Sequence, residues 1–432
     1  MSDLSPIPAT PGPTDTRRFG TFGGVFTPSV LTILGVIMYL RLGWVVGNVG
    51  LGGALIIIGI SHLISVATGL SVASIATNRI VRAGGAYYMI SRSLGAPVGA
   101  AVGIPLYIGQ ALSTTFYIVG FTEALNILVP GLEPRLVGTG VLVLLTILTL
   151  KSADLAIRAQ YVIMAAIVLS LVSFFMGWSG GDPGDVVWFH EGGASFGLVF
   201  AVFFPAVTGI MAGVSMSGDL KDPRKALPRG TLLAILVGFV IYAAIPVWMA
   251  INASMGSLET DLYIMWSMAA VPALIYVGVW GATLSSAVGS ILGAPRTLQA
   301  LAQDGLAPRV FARLSGPANE PRIATLFTFA LAEGGVLLGS LDLIAPVLTM
   351  FFLATYGATN LACGLERWAA TPSFRPSFKV PTWVSLTGAF ACFYVMSIIN
   401  LPAMIAAVLF CLALFVYAQG RTYAESFGDA RH

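Results

Sequence analysis

The sequence contains very few charged residues. Lys, Arg, Asp and Glu make up only 9% of its 432 residues, whereas hydrophobic residues make up 57%. Soluble domains usually carry about 25% charged residues, so this chain has too few charges to cover its surface in water. Helices that face lipid can be apolar all round. The composition therefore predicts an all-α membrane protein whose first partner is the lipid bilayer.

Cysteine and histidine are also scarce, with three of each. The cysteines fall in apolar stretches without the spacing of a disulfide or metal site, and the histidines are too scattered to form a ligand set. The net charge of +3 is too small to indicate a nucleic-acid partner. No nucleophile–base pair or phosphate loop is present, so an enzyme is the least favoured class and no cofactor is predicted.

Apolar runs continue from residue 24 to residue 420 without a polar domain between them. A spanning helix needs roughly 20 mostly apolar residues. Twelve such segments are predicted within one transmembrane domain over 21–420. They are 26–48, 51–76, 96–128, 135–151, 156–178, 195–218, 229–252, 270–303, 323–340, 343–366, 381–400 and 402–419. Residues 1–20 are predicted to be a disordered tail, and residues 421–432 a second, short tail.

The distribution of basic residues predicts the orientation of these spans. Lys and Arg concentrate in cytoplasmic loops. With the N-terminus in the cytoplasm, only Arg41 and Arg135 of the 22 basic residues fall in the outer half. Both tails are therefore expected to be cytoplasmic, in a multi-pass protein of the plasma (inner) membrane. The stretch 77–95 is too polar to span and is predicted to be an amphipathic or re-entrant helix.

Two spans are interrupted by glycine or proline at corresponding positions. Span one has Gly35 in its middle, and span six contains Pro205, Gly209 and Gly213. An unwound segment offers carbonyls to a cation, and the helix that restarts offers free N–H groups to an anion. Such a break has to line a cavity, because lipid cannot satisfy it. The alternative is that these residues only kink the helices or allow close packing.

The positions of the breaks predict two inverted repeats of five spans. Repeat one covers 24–178, repeat two covers 195–366, and two further helices follow over 381–419. An odd number of spans per repeat inverts the second copy, as is typical of transporters that bind substrate at the bilayer midplane.

Several longer segments resemble the cation-chloride cotransporters, within the amino acid–polyamine–organocation superfamily. The matching segments are LTILGVIMYLRLGWVVG (31–47), SIATNRIVRAGGAYYMISRSLG (74–95), YIVGFTEAL (117–125), FPAVTGIMAGVSMSGDLKDPRKALPRGTLLAI (204–235) and ATLSSAVGSILGAPRTLQAL (282–301). The resemblance implies a LeuT-like fold and a symporter that moves chloride with potassium, sodium or both. It also implies a possible homodimer.

The family's ion sites imply a role for individual residues of this sequence. The potassium site matches Thr32, Ile33, Tyr117, Pro205 and Thr208. The chloride sites match the backbone amides of Gly35, Val36, Ile37, Gly209, Ile210 and Met211, with Tyr356 at the second site. The sodium site of sodium-coupled members matches Leu31, Leu34, Ala282, Ser285 and Ser286. Arg41 and Glu123 match residues that pair in the extracellular gate.

Other classes of protein remain as alternatives. The second hypothesis is an amino acid or amine permease of the same architecture, which would need room at span one for a substrate carboxylate. The bulky Ile33, Leu34, Val36 and Ile37 flank that break and favour bare ions. A third class is an ion channel. Two broken helices and a gate pair suit alternating access better than the continuous pore of a channel.

Overall fold

The computed structural model describes residues 19–78, 85–151, 154–178, 185–215, 220–315 and 320–428. The predicted tails lie outside the described residues over 1–18 and 429–432. Apart from two isolated β-bridges, the regular structure of the described residues is helical. The prediction of an all-α protein is confirmed.

Sixteen α-helices follow one another in the described residues. They are α1 (Thr27–Ile33), α2 (Val36–Leu40), α3 (Leu42–Asn78), α4 (Gly85–Leu94), α5 (Ala96–Leu128), α6 (Pro134–Lys151), α7 (Asp154–Met176), α8 (Phe196–Phe203), α9 (Ile210–Ser215), α10 (Pro223–Asn252), α11 (Met255–Thr260), α12 (Ile264–Met268), α13 (Pro272–Gln303), α14 (Arg322–Leu338), α15 (Leu341–Trp368) and α16 (Thr382–Gly428). A π-helical turn, Phe22–Phe26, precedes α1, and a 3₁₀ turn, Phe204–Val207, follows α8.

The described residues contain nine helical segments that are long and apolar enough to cross a membrane, and two of these, Phe22–Leu40 and Phe196–Ser215, contain the breaks described below. This number is smaller than the twelve spans predicted, and α16 accounts for part of the difference because it covers two predicted spans. Helix α3 has non-helical dihedral angles at Gly50, and α16 has them at Asn400. These interruptions coincide with the predicted boundaries between spans one and two and between spans eleven and twelve. Helices α6 and α14 are shorter, with 18 and 17 residues.

The bend at Gly50 depends on glycine. Its φ of +76° lies in the left-handed region that side chains rarely adopt. The carbonyl of Trp188 also lies 2.7 Å from where a Cβ atom would stand. The amide of Leu51 donates to the Val187 carbonyl at 2.9 Å, and that of Gly52 to the Trp188 carbonyl at 2.7 Å. These bonds satisfy amides that the interrupted helix leaves free.

Both predicted helix breaks are present, and they lie against each other. Helix α1 ends at Ile33, and α2 begins at Val36 after two non-helical residues. A Cβ atom on Gly209 would lie 2.8 Å from the backbone nitrogen of Ile33. A Cβ atom on Gly213 would lie 2.6 Å from the Ser29 hydroxyl oxygen. From the first of these contacts to the second, the residue number rises from 209 to 213 on one side and falls from 33 to 29 on the other. Helices α1 and α9 therefore run antiparallel.

Two regions outside the long helices have more structure than a loop. Helices α11 and α12 connect α10 to α13, where the sequence predicted only an outer loop. Helix α4 lies inside the stretch predicted to be amphipathic, although residues 79–84 of that stretch lie outside the described part. The Asp304 carboxylate, at the end of α13, accepts hydrogen bonds from Tyr87, Ser91 and Arg92 of α4. Burial, together with Asp304, raises the pKa of Tyr87, so its hydroxyl stays protonated.

Candidate functional site

A cavity of about 350 Å³ lies beside the two helix breaks. Helices α1, α5, α9 and α13 contribute most of its polar wall. Seven of the residues predicted for ion sites line it: Thr32, Tyr117, Thr208, Gly209, Met211, Ser285 and Ser286. The structure therefore brings together one residue or more from each of the three predicted ion sites.

The first break leaves backbone groups of both kinds without a backbone partner. Within the described chain, the amides of Gly35, Val36 and Ile37 have no backbone acceptor, because the residues four positions earlier lie before the break. The carbonyls of Leu31 and Leu34 likewise have no backbone donor. The amides match the predicted chloride positions, and the carbonyls match the predicted sodium positions.

One carbonyl at the first break has a side-chain partner that sequence analysis missed. The Tyr242 hydroxyl of α10 donates to the Ile33 carbonyl at 2.8 Å. Tyr242 is fully buried. The predicted potassium ligand Ile33 therefore already has one hydrogen bond, although a carbonyl oxygen has a second lone pair. A tyrosine within an apolar span was the available signal, because a buried hydroxyl usually has a partner.

The second break leaves fewer groups free. Among the described residues, no backbone acceptor exists for the amides of Gly209 and Ile210. The Met211 amide donates to the Thr208 carbonyl at 3.5 Å, which is a long and weak contact. The Tyr356 hydroxyl donates to the same carbonyl at 2.9 Å. Of the predicted second chloride site, two amides are open, and Tyr356 would have to change partner to reach an anion.

Three of the predicted potassium positions, Thr32, Tyr117 and Thr208, line the cavity. The Tyr117 hydroxyl has no hydrogen-bond partner among the described residues, although its side chain is only 4% exposed. The Thr208 hydroxyl donates to the Pro205 carbonyl at 2.8 Å. The Thr32 hydroxyl donates to the Pro28 carbonyl at 2.9 Å. Among the three hydroxyls predicted to bind potassium, that of Tyr117 is therefore the one without a protein partner in the described chain.

The two predicted sodium serines differ in their surroundings. Ser285 is half-buried on the cavity wall, whereas Ser286 is buried and its hydroxyl oxygen has no partner among the described residues. A buried hydroxyl without a partner costs free energy, so the Ser286 hydroxyl is available to a ligand. Ala282 lies inside the regular helix α13, where its carbonyl has an intrahelical partner.

The predicted gate pair is in contact and has a third member. The Arg41 guanidinium is 2.7 Å from the Glu123 carboxylate and 2.8 Å from the Asp342 carboxylate. Arg41 is only 3% exposed. Asp342 lies between the predicted spans 323–340 and 343–366 and was not among the predicted gate residues. The buried Arg41 follows α2, and its two ion pairs connect that helix to α5 through Glu123 and to α15 through Asp342.

The described residues include no cluster of three or more side chains suited to a metal ion. The described wall of the cavity likewise includes no Asp or Glu, and its one charged residue is Arg296. A cation bound there would rely on hydroxyl and carbonyl oxygens.

Residues 24–431 match the sequence model of the amino acid permease family. The chain is 34% identical to solute carrier family 12 member 2 of Squalus acanthias, in an alignment that covers 93% of this chain and 39% of that protein. It is 32% identical to solute carrier family 12 member 1 of Rattus norvegicus, with 94% of this chain and 43% of that protein covered. It is 33% identical to the human member 2, with 93% and 38% covered.

The chain thus spans about two fifths of the length of these curated relatives. Permeases and solute carriers are membrane transporters, and the apolar helices agree with an integral membrane protein. The relatives confirm the predicted resemblance to the cation-chloride cotransporters of solute carrier family 12. With most of its length matched by the family model, the chain belongs to the amino acid permease family.

Proposed function

We propose that this protein is a secondary active symporter that couples chloride to potassium, sodium or both by alternating access. The observation that carries the proposal is the contact between the two helix breaks at one cavity. The two breaks present unpaired amides and unpaired carbonyls beside the cavity, and groups of these two kinds replace the water shells of anions and cations. The printed names of the relatives support membrane transport of solutes.

The proposed architecture is twelve spans with a 5+5 inverted repeat and two further helices. Helix α16 has 47 residues, which is about 70 Å at 1.5 Å per residue and twice the thickness of a bilayer core. Its interruption at Asn400 supports two spans. The interruption of α3 at Gly50 supports a similar division. The antiparallel packing of α1 and α9 supports an inverted relation between the repeats.

The proposed ion ligands follow the exposed groups at each break. Chloride would bind the free amides at the first break and those of Gly209 and Ile210 at the second. Potassium would bind between Thr32, Tyr117 and Thr208, which share the cavity. Sodium would bind near Ser286, whose hydroxyl lacks a protein partner in the described chain.

The proposed transport cycle uses the two ends of the site in turn. At one end Arg41 holds Glu123 and Asp342, which closes α2, α5 and α15 against one another. The cavity extends from the breaks to Arg296 and does not include the three gate residues. Such a state is closed at the gate and accessible at the other end. With cytoplasmic termini in the plasma (inner) membrane, the accessible end would face the cytoplasm; a homodimer is proposed from the resemblance alone.

The experiment that tests the proposal is rubidium uptake into proteoliposomes that contain the purified chain. Chloride-dependent uptake without an accompanying current is the expected result, with gluconate replacing chloride as the control. Tyr117→Phe should weaken the potassium dependence, while Tyr107→Phe removes a buried hydroxyl bonded to Thr328 on α14 and should not. Chloride-independent uptake of leucine or an amine would favour the permease alternative instead, and single-channel currents would favour a channel.

A further inference from the structure

The cavity has a donor-rich end that the proposed ion sites do not use. Arg296 lines the cavity from α13 and is exposed. It has no ion-pair partner in the described part of the chain. No Asp or Glu is among the described residues that line the cavity. A guanidinium in a concave wall without compensating carboxylates concentrates anions from solution.

A second donor contacts α13 at residues within one helical turn of Arg296. Gln110 of α5 is only 7% exposed, yet its side chain lines the same cavity. Its Oε1 atom accepts a hydrogen bond from the Thr297 hydroxyl at 2.8 Å. The Gly293 carbonyl, the other acceptor near the Thr297 hydroxyl, is farther away at 3.3 Å, so the proton favours Oε1 and the two N–H bonds of Nε2 point away from Thr297. Nε2 has no hydrogen-bond partner among the described residues.

Space for a ligand exists between these donors. Gly293 lies three residues before Arg296 on α13, so the two share one face of the helix. A Cβ atom on Gly293 would be 3.8 Å from Nε2 of Gln110. The absence of a side chain at Gly293 therefore leaves the Gln110 amide open to the cavity beside the arginine.

From this arrangement we propose an additional site for a monovalent anion, formed by the Gln110 amide and the Arg296 guanidinium, with Thr297 as a positioning residue. The site deepens the proposed function and rests on it: chloride would gather here before it reaches the amides at the helix breaks. Charged and neutral donors together suit a halide, which accepts hydrogen bonds from all directions. The exposure of Arg296 keeps the site accessible, so that the ion can also leave.

The test separates anion binding from transport. Binding is measured first, as the thermal stabilisation of the purified full chain by chloride relative to gluconate. Uptake is then measured in right-side-out and inside-out vesicles, with chloride varied at one face at a time. Arg296→Gln should raise the half-saturating chloride concentration about tenfold at one face only, since a local positive field raises anion occupancy. Arg296→Lys should restore most of the effect.

Two further variants keep the proposal falsifiable. Gln110→Leu should produce the same one-sided shift as Arg296→Gln. Arg309→Gln removes an exposed arginine after the same helix that does not line the cavity, and it should leave both faces unchanged. The proposed site would be overturned if the wild type, Arg296→Gln and Gln110→Leu showed the same stabilisation by chloride and the same half-saturating chloride concentration at each face. A different result would separate the two proposals: chloride stabilises the wild type, Arg296→Gln lowers that stabilisation, and the wild type shows no chloride-dependent uptake. In that case the anion site is supported and the proposed symport is wrong.

Discussion

Gly209 packs directly on the backbone of Ile33, so the second helix break touches the first. A Cβ atom at Gly209 would lie 2.8 Å from the Ile33 nitrogen and 2.9 Å from the Thr32 Cβ atom. Real Cβ atoms do not approach backbone this closely, and neither neighbour is the end of a flexible side chain. The separation between the breaks, and with it the geometry of every proposed ion site, therefore depends on this contact.

We expect Gly209→Ala to force the breaks apart and to abolish ion-coupled uptake. Overpacking of this kind costs about 1–3 kcal/mol in the free energy of unfolding. Thermal unfolding in detergent and rubidium uptake would measure the two effects. Gly140→Ala is the matched control, because a Cβ atom there meets nothing within 4 Å. Wild-type uptake by Gly209→Ala would show that the close contact is not needed.

The hydrogen bond between Tyr242 and the Ile33 carbonyl leads to a second prediction. Tyr242→Phe removes the donor and frees the carbonyl, at a cost of about 1 kcal/mol in stability. If Ile33 belongs to the cation site, the apparent affinity for potassium or rubidium should change as well. Uptake measured over a range of rubidium concentrations tests this. The control is Tyr39→Phe, which removes a buried hydroxyl bonded to Ser170 and should leave the rubidium affinity unchanged.

The two carboxylates on Arg41 should differ in importance. Glu123 is 20% exposed and Asp342 is 56% exposed, so solvent screens the second ion pair more strongly. Glu123→Gln leaves a buried guanidinium with a weaker partner and should destabilise the closed gate by about 3 kcal/mol. Asp342→Asn should have a smaller effect that shrinks further in high salt. Accessibility of a cysteine at the outer end, probed with a membrane-impermeant thiol reagent, measures closure; equal effects of both substitutions would contradict this ranking.

For Ser286 we predict that a substitution affects sodium-dependent uptake without lowering the melting temperature. Its buried hydroxyl has no partner among the described residues, so Ser286→Ala loses no protein hydrogen bond and should keep or raise the melting temperature. If the hydroxyl binds sodium, the same change should remove the sodium dependence of uptake. Ser290→Ala, on the same helix and also at the cavity, is the control. Unaltered sodium dependence in Ser286→Ala would remove this residue from the site.

Local signals were enough to predict most of the long helices and both breaks. Span 96–128 coincides with α5, because its apolar run is flanked by turn-forming residues. Gly35 and Pro205 predicted the breaks through their backbone chemistry alone. Helices α11 and α12 were missed because each has only five or six residues, and so short a segment shows little helical periodicity.

Contacts between distant parts of the chain could not be predicted in the same way. Tyr242 and Ile33 are 209 residues apart, and Arg41 and Asp342 are 301 residues apart. Sequence spacing does not indicate that such residues meet, since the meeting depends on how whole helices pack. The family resemblance predicted that Arg41 pairs with Glu123. The segments on which that resemblance rests do not include Asp342.

The bend at Gly50 bears on how the topology of this protein can be mapped. The residue before it and the residue after it both belong to helices, and the amides that follow it bond to the backbone at 187–188. An epitope inserted at this bend would break those bonds, and a label attached there would meet backbone. Failure to tag residue 50 would therefore not show that the chain stays inside the bilayer at that point. Gly256, in the connection that holds α11 and α12, is a better place to mark that face, because a Cβ atom there meets nothing within 4 Å.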